Sequence, residues 1–211
     1  GLLEFRGSSI VIGQDLQLLT TNNSGTFADT EVSVLGEVLG SITTGDIVRS
    51  AIEVANTITA LTIRGDMLAT ELVAGQLLNM TVSESIRVSS ITISGPIQSI
   101  RVQDEIDRSA ISVTGPDGRI DLLEAVNDLD AQISSSGRIG TLRSTMGSID
   151  GSIATTNPNA DIVLIDAAVD VLATTDIGGN LSQILAGRYI GNADNPGGIL
   201  VRGNLTDLDV E

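Results

Sequence analysis

The chain contains no cysteine, histidine, lysine or tryptophan, and each absence removes a class of chemistry. Without Cys there is neither a disulfide scaffold nor a thiolate metal site. Without His, Ser-His-Asp and Cys-His machinery and conventional zinc sites fall away. Without Lys, Schiff-base chemistry and the P-loop lysine are gone. Carboxylates, hydroxyls and arginine remain. Long apolar runs are missing as well, since no stretch approaches the ~18 residues that span a bilayer. No basic segment followed by an apolar one opens the chain, so no signal peptide is expected. Gly1 in place of Met, and a pattern that runs into Glu211, read as a segment of something longer.

Aromatic residues are nearly absent: Phe5, Phe27 and Tyr189 are the three in 211 residues. An ordinary core of this size buries several large rings. A core made of Ile, Leu, Val and Ala fills a narrow interior more readily than a wide one, and repeating aliphatic layers around a narrow axis are the design of a solenoid. All 11 basic residues are Arg, against 27 acids, for a net charge of −16. That balance argues against nucleic acid, whose phosphates need clustered cations, and against anionic membrane surfaces.

What the sequence has in abundance is a repeat. Units of the form aliphatic-x-β-branched, such as Ile52-Glu-Val54, Leu61-Thr-Ile63, Ile91-Thr-Ile93 and Ile111-Ser-Val113, carry the alternation of half-buried strands. Their apolar members fall on ladders with steps of 19 or 20: Ile52, Leu72, Ile91, Ile111; Ile42, Leu61, Met80, Ile100, Ile120, Ile139; Ile47, Met67, Ile86, Ile106; and Ile58, Leu77, Ile97. The reading is an all-β fold, a right-handed parallel β-helix or β-solenoid. It has about 19–20 residues per coil in two similar halves of about ten, stacked ~4.8 Å apart. Each coil buries five or six aliphatic side chains at ~1.5–3 kcal/mol each, against the cost of ordering its backbone. Turn signals fall at matching places: Gly-Asp at 45–46 and 65–66, and Gly95-Pro96 one period before Gly115-Pro116-Asp117-Gly118. Leu122, Val126, Leu129 and Ile133 have helical spacing, yet the ladders run through the same stretch, so 119–133 reads either way with strand preferred.

Residues 1–35 fit the period poorly and are expected to form an N-terminal cap or irregular first coil. The solenoid is expected over 36–211, with lateral loops near 154–161 and 192–198. Gly179-Asn-Leu-Ser-Gln-Ile184 matches Gly203-Asn-Leu-Thr-Asp-Leu208 at an interval of 24.

The units at 179–187 and 201–206, and the stretch Gly137-Arg-Ile-Gly-Thr-Leu-Arg-Ser-Thr-Met-Gly-Ser-Ile149, resemble the β-strand repeats of very large bacterial surface proteins, those of planctomycete giant surface proteins and, more distantly, of filamentous-haemagglutinin-type passengers. The resemblance covers about 36–211. It implies a β-helix, a cell-surface or extracellular location, and structural, adhesive or scaffolding work. It brings no catalytic residue.

Candidate chemistry is sparse. Asp161, Asp166, Asp170 and Asp176 form an acidic run that calcium, a hard cation seeking oxygens, could use. Asp104, Glu105 and Asp107 form another. Asp117, Asp121, Asp128 and Asp130, with Arg119, are the carboxylates that a glycoside-processing β-helix would need, although sugar clefts are usually floored by rings that are missing here. Arg49, Arg64, Arg87, Arg101 and Arg108 lie by strands, where an Arg above an acid of the next coil makes an ion-pair ladder. Asn-x-Ser/Thr sequons stand at Asn22, Asn79, Asn180 and Asn204. The expected function is a structural or adhesive rod of a bacterial surface protein. The alternatives are a self-assembling filament or surface-layer subunit, and a polysaccharide-processing or tailspike-like fragment. The expected partners are other copies or cell-surface polymers, with no cofactor beyond possible calcium, no nucleic acid and no membrane insertion.

Overall fold

A computed structural model describes residues 5–21, 25–191 and 198–210. Among these residues there is no helix. All 25 strands belong to one sheet, and every pairing is parallel between runs about one coil apart in sequence. This is a β-solenoid. Its coils have three faces, not the two halves expected from the ten-residue spacing. The coil that starts at Phe27 shows the plan: a short first face, Phe27–Ala28, a second, Glu31–Val34, and a third, Val38–Thr44. The spacing hid the short face because two residues with one inward side chain leave almost no alternation to detect.

The rungs of the first face run Phe5, Phe27, Ile47, Met67, Ile86, Ile106, Leu129, Ile149, Val171, Ile190, which makes ten coils among the described residues. On the second face Ile52, Leu72, Ile91 and Ile111 stack directly, as the sequence predicts. On the third face Ile58, Leu77 and Ile97 stack, and so do Ile42, Leu61, Met80 and Ile100. There one expectation fails. Ile100 sits over Leu123, and Ile120 and Ile139 belong to the ladder of Ile97. The cause is the turn Gly115–Gly118, which lengthens the Ile97-to-Ile120 step to 23 residues, so counting by 20 slides from one rung to its neighbour. The loop after Thr155 does the same between Ile139 and Ile162.

The stretch 119–133 is strand: Ile120–Ala125 and Leu129–Ser135, with Ile120, Leu123, Leu129 and Ile133 inward. Its helical spacing is a by-product of two short strands meeting at a corner. Toward the start, Phe5–Arg6, Ser9–Ile12 and Leu16–Thr20 pair in parallel with the coil of Phe27. Toward the end, Leu181 pairs with Leu205 across the 24-residue repeat. Residues 156–161 form a loop in which Asn157 Oδ1 accepts the Asn159 N–H at 3.0 Å. The loop expected at 192–198 falls, except for Gly198, outside the described residues.

A middle coil carries six fully buried aliphatics, for example Ile86, Ile91, Ile93, Ile97, Ile100 and Val102. The alternation in each strand puts them inward, and the next coil covers them above and below. The second corner, between second and third faces, is built on glycine where the neighbouring coil leaves no room. A Cβ on Gly115 would lie 1.7 Å from the Ser94 carbonyl oxygen, and one on Gly137 2.0 Å from that of Gly118. Acids and amides at the corners brace one coil to the next. Oδ1 of Asp46 accepts the Asp66 N–H (3.1 Å) and Oδ1 of Asp66 that of Ser85 (3.0 Å). Asp128 does the same for Ser148 (2.8 Å), and Asp15 for Glu37 (2.9 Å).

Candidate functional site: a trough along the first corner

The first corner, between first and second faces, repeats a less common backbone. Asp29, Arg49, Ala69, Val88 and Arg108 all hold positive φ, between 44° and 51°. Non-glycine residues seldom do so, and runs of them mark a constrained feature. Each is followed by a buried hydroxyl: Thr30, Ser50, Thr70, Ser89, Ser109. The left-handed residue turns the chain so that this hydroxyl points inward, and the neighbouring coil satisfies it. Ser50 Oγ accepts the Thr30 N–H at 3.1 Å, Ser89 Oγ the Thr70 N–H at 3.2 Å, and Ser109 Oγ the Ser89 N–H at 3.1 Å. Each hydroxyl donates to the carbonyl two residues back, as Ser89 does to Arg87 at 2.9 Å. The local strain is thereby offset by hydrogen bonds that run along the axis. The device stops at the next coil, where Ala131 stands over Ser109 and the register shifts by a residue.

Outside this ladder the corner forms an open trough. Two cavities of about 690 and 840 Å³ follow one another along it, from Gly7 to Ser152. Small residues line it, with Arg49, Glu71, Arg108 and Asp130 among the charged ones. Its buried hydroxyls are engaged in the ladder. It can seat an extended chain lying along the axis; it does not converge polar groups on one atom. The sequence carried a signal for it: Ser or Thr at 30, 50, 70, 89 and 109, in steps of 20, 20, 19 and 20. A search for aliphatic ladders alone passes over it.

The four candidate calcium ligands are not brought together. Asp161 sits at the second corner, where its Oδ1 accepts the Asn180 backbone N–H (2.7 Å) and side-chain amide (3.0 Å). Asp166 points outward from the third face to Arg143 Nε at 2.8 Å. Asp170, buried on the first face, takes two hydrogen bonds from Arg188, at 2.6 and 3.1 Å. Asp176 lies on the second face, held by Arg202 at 2.8 Å. Residues a few apart in sequence leave a three-faced coil in different directions, and each acid has found its own donor. Among the described residues no three carboxylates form a group able to hold a metal ion.

The acids at 104–107 are also engaged. Asp104 accepts from Asn127 Nδ2 (2.6 Å) and Ser85 Oγ (2.8 Å), which hold its carboxyl below the usual aspartate range. Arg87 spans three coils, bonding Glu105 at 3.1 Å and lying 3.7 Å from Asp66 and 3.9 Å from Asp104. Asp107 is held by Arg108 at 2.9 Å. Of the five arginines considered for an ion-pair ladder, Arg101 stands in one, on the third face, where Arg101, Glu124, Arg143 and Asp166 alternate in sign over four successive coils; Arg49 pairs with Asp29 of the preceding coil, and Arg108 with its sequence neighbour Asp107. A different stack is unfavourable: burial, then Asp150 and Asp107, push the Asp130 carboxyl up. Of the carboxylates weighed for glycoside chemistry, Asp121 is bound by its neighbour Arg119 at 3.0 Å, Asp128 braces the third corner, and Asp130 lines the trough. Asn79 accepts from Ser99 Oγ at 3.0 Å; Asn180 and Asn204 share the second-corner brace; Asn22 lies outside the described residues.

The chain matches no protein-family model, no curated protein and no solved structure.

Proposed function

We propose that this chain is a stiff, rod-like structural segment of a bacterial extracellular surface protein, serving as a spacer or adhesive stalk rather than a catalyst. The observation that carries the reading is the unbroken stack of ten coils among the described residues, whose backbone hydrogen bonds run along the molecular axis. Bending such a rod requires separating strands on some face. At ~4.8 Å per coil the stack is about 45 Å long. Many polar side chains support the same reading: Asp46, Asp66, Asp128 and Asp161 brace corners, and Asp29, Asp166, Asp170 and Asp176 each pair with an Arg of a neighbouring coil. The cell-surface location rests on the resemblance of the repeats at 137–149, 179–187 and 201–206. The trough offers a seat for an extended polymer, which suits an adhesive stalk. A polysaccharide-processing enzyme has less support: of its candidate carboxylates, Asp121 is held by Arg119 and Asp128 braces a corner, which leaves Asp130 in the trough.

Antibodies raised against the purified chain test the location. Labelling of intact source cells is expected, and labelling only after permeabilisation would remove the surface assignment. A turnover screen on acidic and neutral polysaccharides, with Asp121→Asn as control, tests the structural role. Hydrolysis or elimination that the Asp121→Asn variant abolishes would replace the rod with an enzyme.

A further inference from the structure

We propose that Asp150–Gly151 is a site of spontaneous covalent modification, at which the Asp150 side chain closes on the Gly151 nitrogen and reopens as isoaspartate. The inference stands on the fold and goes beyond the proposed surface role.

The chain holds two Asp-Gly pairs, Asp117–Gly118 and Asp150–Gly151. In such a pair the glycine has no Cβ to keep the preceding carboxyl away from its nitrogen, so a five-membered imide can close where the backbone permits. The two backbones differ. At Asp117–Gly118 the glycine N–H is bound inside its turn, donating to the Gly115 carbonyl at 2.9 Å. At Asp150–Gly151 the glycine N–H donates to the Asp150 side chain itself, with Oδ1 2.6 Å from the nitrogen. The carbon to be attacked, Cγ, is one bond from that oxygen and so lies within about 4 Å of the nitrogen, close to a near-attack arrangement.

The stacking of the coils frees this amide. The strand Ile149–Thr155 pairs along its full length with the coil before it. The coil after it takes up 149 and then 152–154, and passes over 150 and 151. It does so through a bulge, in which the N–H groups of Leu172 and Ala173 both donate to the Ile149 carbonyl, at 2.7 and 3.2 Å. Alternate backbone groups of a strand face the same neighbour. Gly151, two residues after Ile149, therefore faces the skipped rung, and its N–H turns to Asp150 instead. Its carbonyl is held by Thr174 Oγ1 at 3.1 Å. Glycine is obligatory there: φ is +89°, and a Cβ would collide with the Ala131 carbonyl oxygen. Asp150 is exposed and lines a cavity of about 340 Å³ with Asp130, Ser148 and Leu172, so water can leave and return.

The reaction is a dehydration followed by a hydration. The Gly151 nitrogen loses its proton and bonds to Asp150 Cγ, while one carboxyl oxygen departs as water and leaves a cyclic imide. Water then adds to either imide carbonyl. Breaking the bond from nitrogen to Cγ restores aspartate. Breaking the bond from nitrogen to the main-chain carbonyl carbon leaves the chain running through Cβ and Cγ, one backbone atom longer. The atoms balance without any other reactant. The added atom falls where the two coils already part, so isoaspartate loosens the coil at 171–177 from the one before it.

The test is incubation of the folded chain at pH 6 and 37 °C, then cleavage by trypsin and mapping of isoaspartate by methyltransferase labelling and fragmentation mass spectrometry. Cleavage after Arg places Asp117 in peptide 109–119 and Asp150 in peptide 144–188. Isoaspartate is expected at Asp150 about tenfold faster than at Asp117 in the folded chain, with the two rates converging in denaturant. Asp150→Glu, whose imide ring would have six members, removes the label at 150. Asp150→Asn keeps the shape, releases ammonia in place of water and raises the label there. Circular dichroism establishes that each variant retains its strands. Equal rates at the two pairs in the folded chain, or an Asp150 that reacts in denaturant and not when folded, would overturn the proposal while leaving the rod itself intact.

Discussion

Asp130 and Asp170 both face a neighbouring coil, and their surroundings push them in opposite directions. Asp170 is hydrogen-bonded by Arg188 and lowered. Its contribution to stability is therefore present above the ordinary aspartate value, near 3.9, and is lost as pH falls through its lower folded value. Asp130 is raised, by burial first and then by Asp150 and Asp107. Its charged form opposes folding at neutral pH, and that penalty is relieved as pH falls through its raised folded value. Thermal unfolding followed by circular dichroism should accordingly show Asp130→Asn more stable than the parent at pH 7, with the gain gone at pH 3. Asp170→Asn should be less stable at pH 7, with its deficit shrinking on acidification. Equal behaviour of the two variants would contradict these assignments. At Gly115 the relevant term is steric. Gly115→Ala places a methyl against the Ser94 carbonyl and should lower the unfolding temperature clearly, while alanine at Gly13, where nothing lies within 4 Å, should not.

The three-faced coil is the element on which stability turns, and it was only partly legible in the chain. Strands whose aliphatic residues alternate over four or more positions announce themselves, which is why the ladder of Ile52, Leu72, Ile91 and Ile111 could be read directly. The first face escaped notice as a face because its strands are two residues long, though its rungs at Ile47, Met67, Ile86 and Ile106 could be counted. The Ile100-to-Leu123 step escaped because an inserted turn alters the count and one aliphatic residue looks like another. The trough escaped because its marker is hydroxyl spacing combined with a left-handed backbone, and backbone conformation at Asp29, Arg49, Ala69, Val88 and Arg108 leaves no common residue type behind. The candidate calcium ligands misled for a related reason: closeness in sequence is not closeness in space when a coil turns twice within ten residues. Two substitutions weigh the parts of the coil. Ile100→Ala, in the middle of the stack, should cost about 2–5 kcal/mol. Ser89→Ala, which strands the Thr70 N–H, should cost about 1–3 kcal/mol. Denaturant unfolding measures both; a negligible cost for Ser89→Ala would mean that the hydroxyl ladder is incidental to the corner.

At the scale of the whole molecule, each coil touches only its neighbours, so stability is a sum of coil and interface terms rather than one global core. Hydrogen exchange should be slowest in the middle coils, around Ile86–Val113, where every rung is covered by a coil on both sides. The central claim is that successive coils advance along one axis, and the absence of native cysteine permits a direct measurement. Ser33, Ser112, Ala154 and Leu200 occupy outward positions of the second face, related through the register by four, six and eight coils from Ser33. Paired spin labels at Ser33 with each of the other three, read by pulsed electron resonance, should give separations rising linearly, near about 19, 29 and 38 Å. Distances that stay level or fall as the number of intervening coils grows would contradict the stacked-coil account.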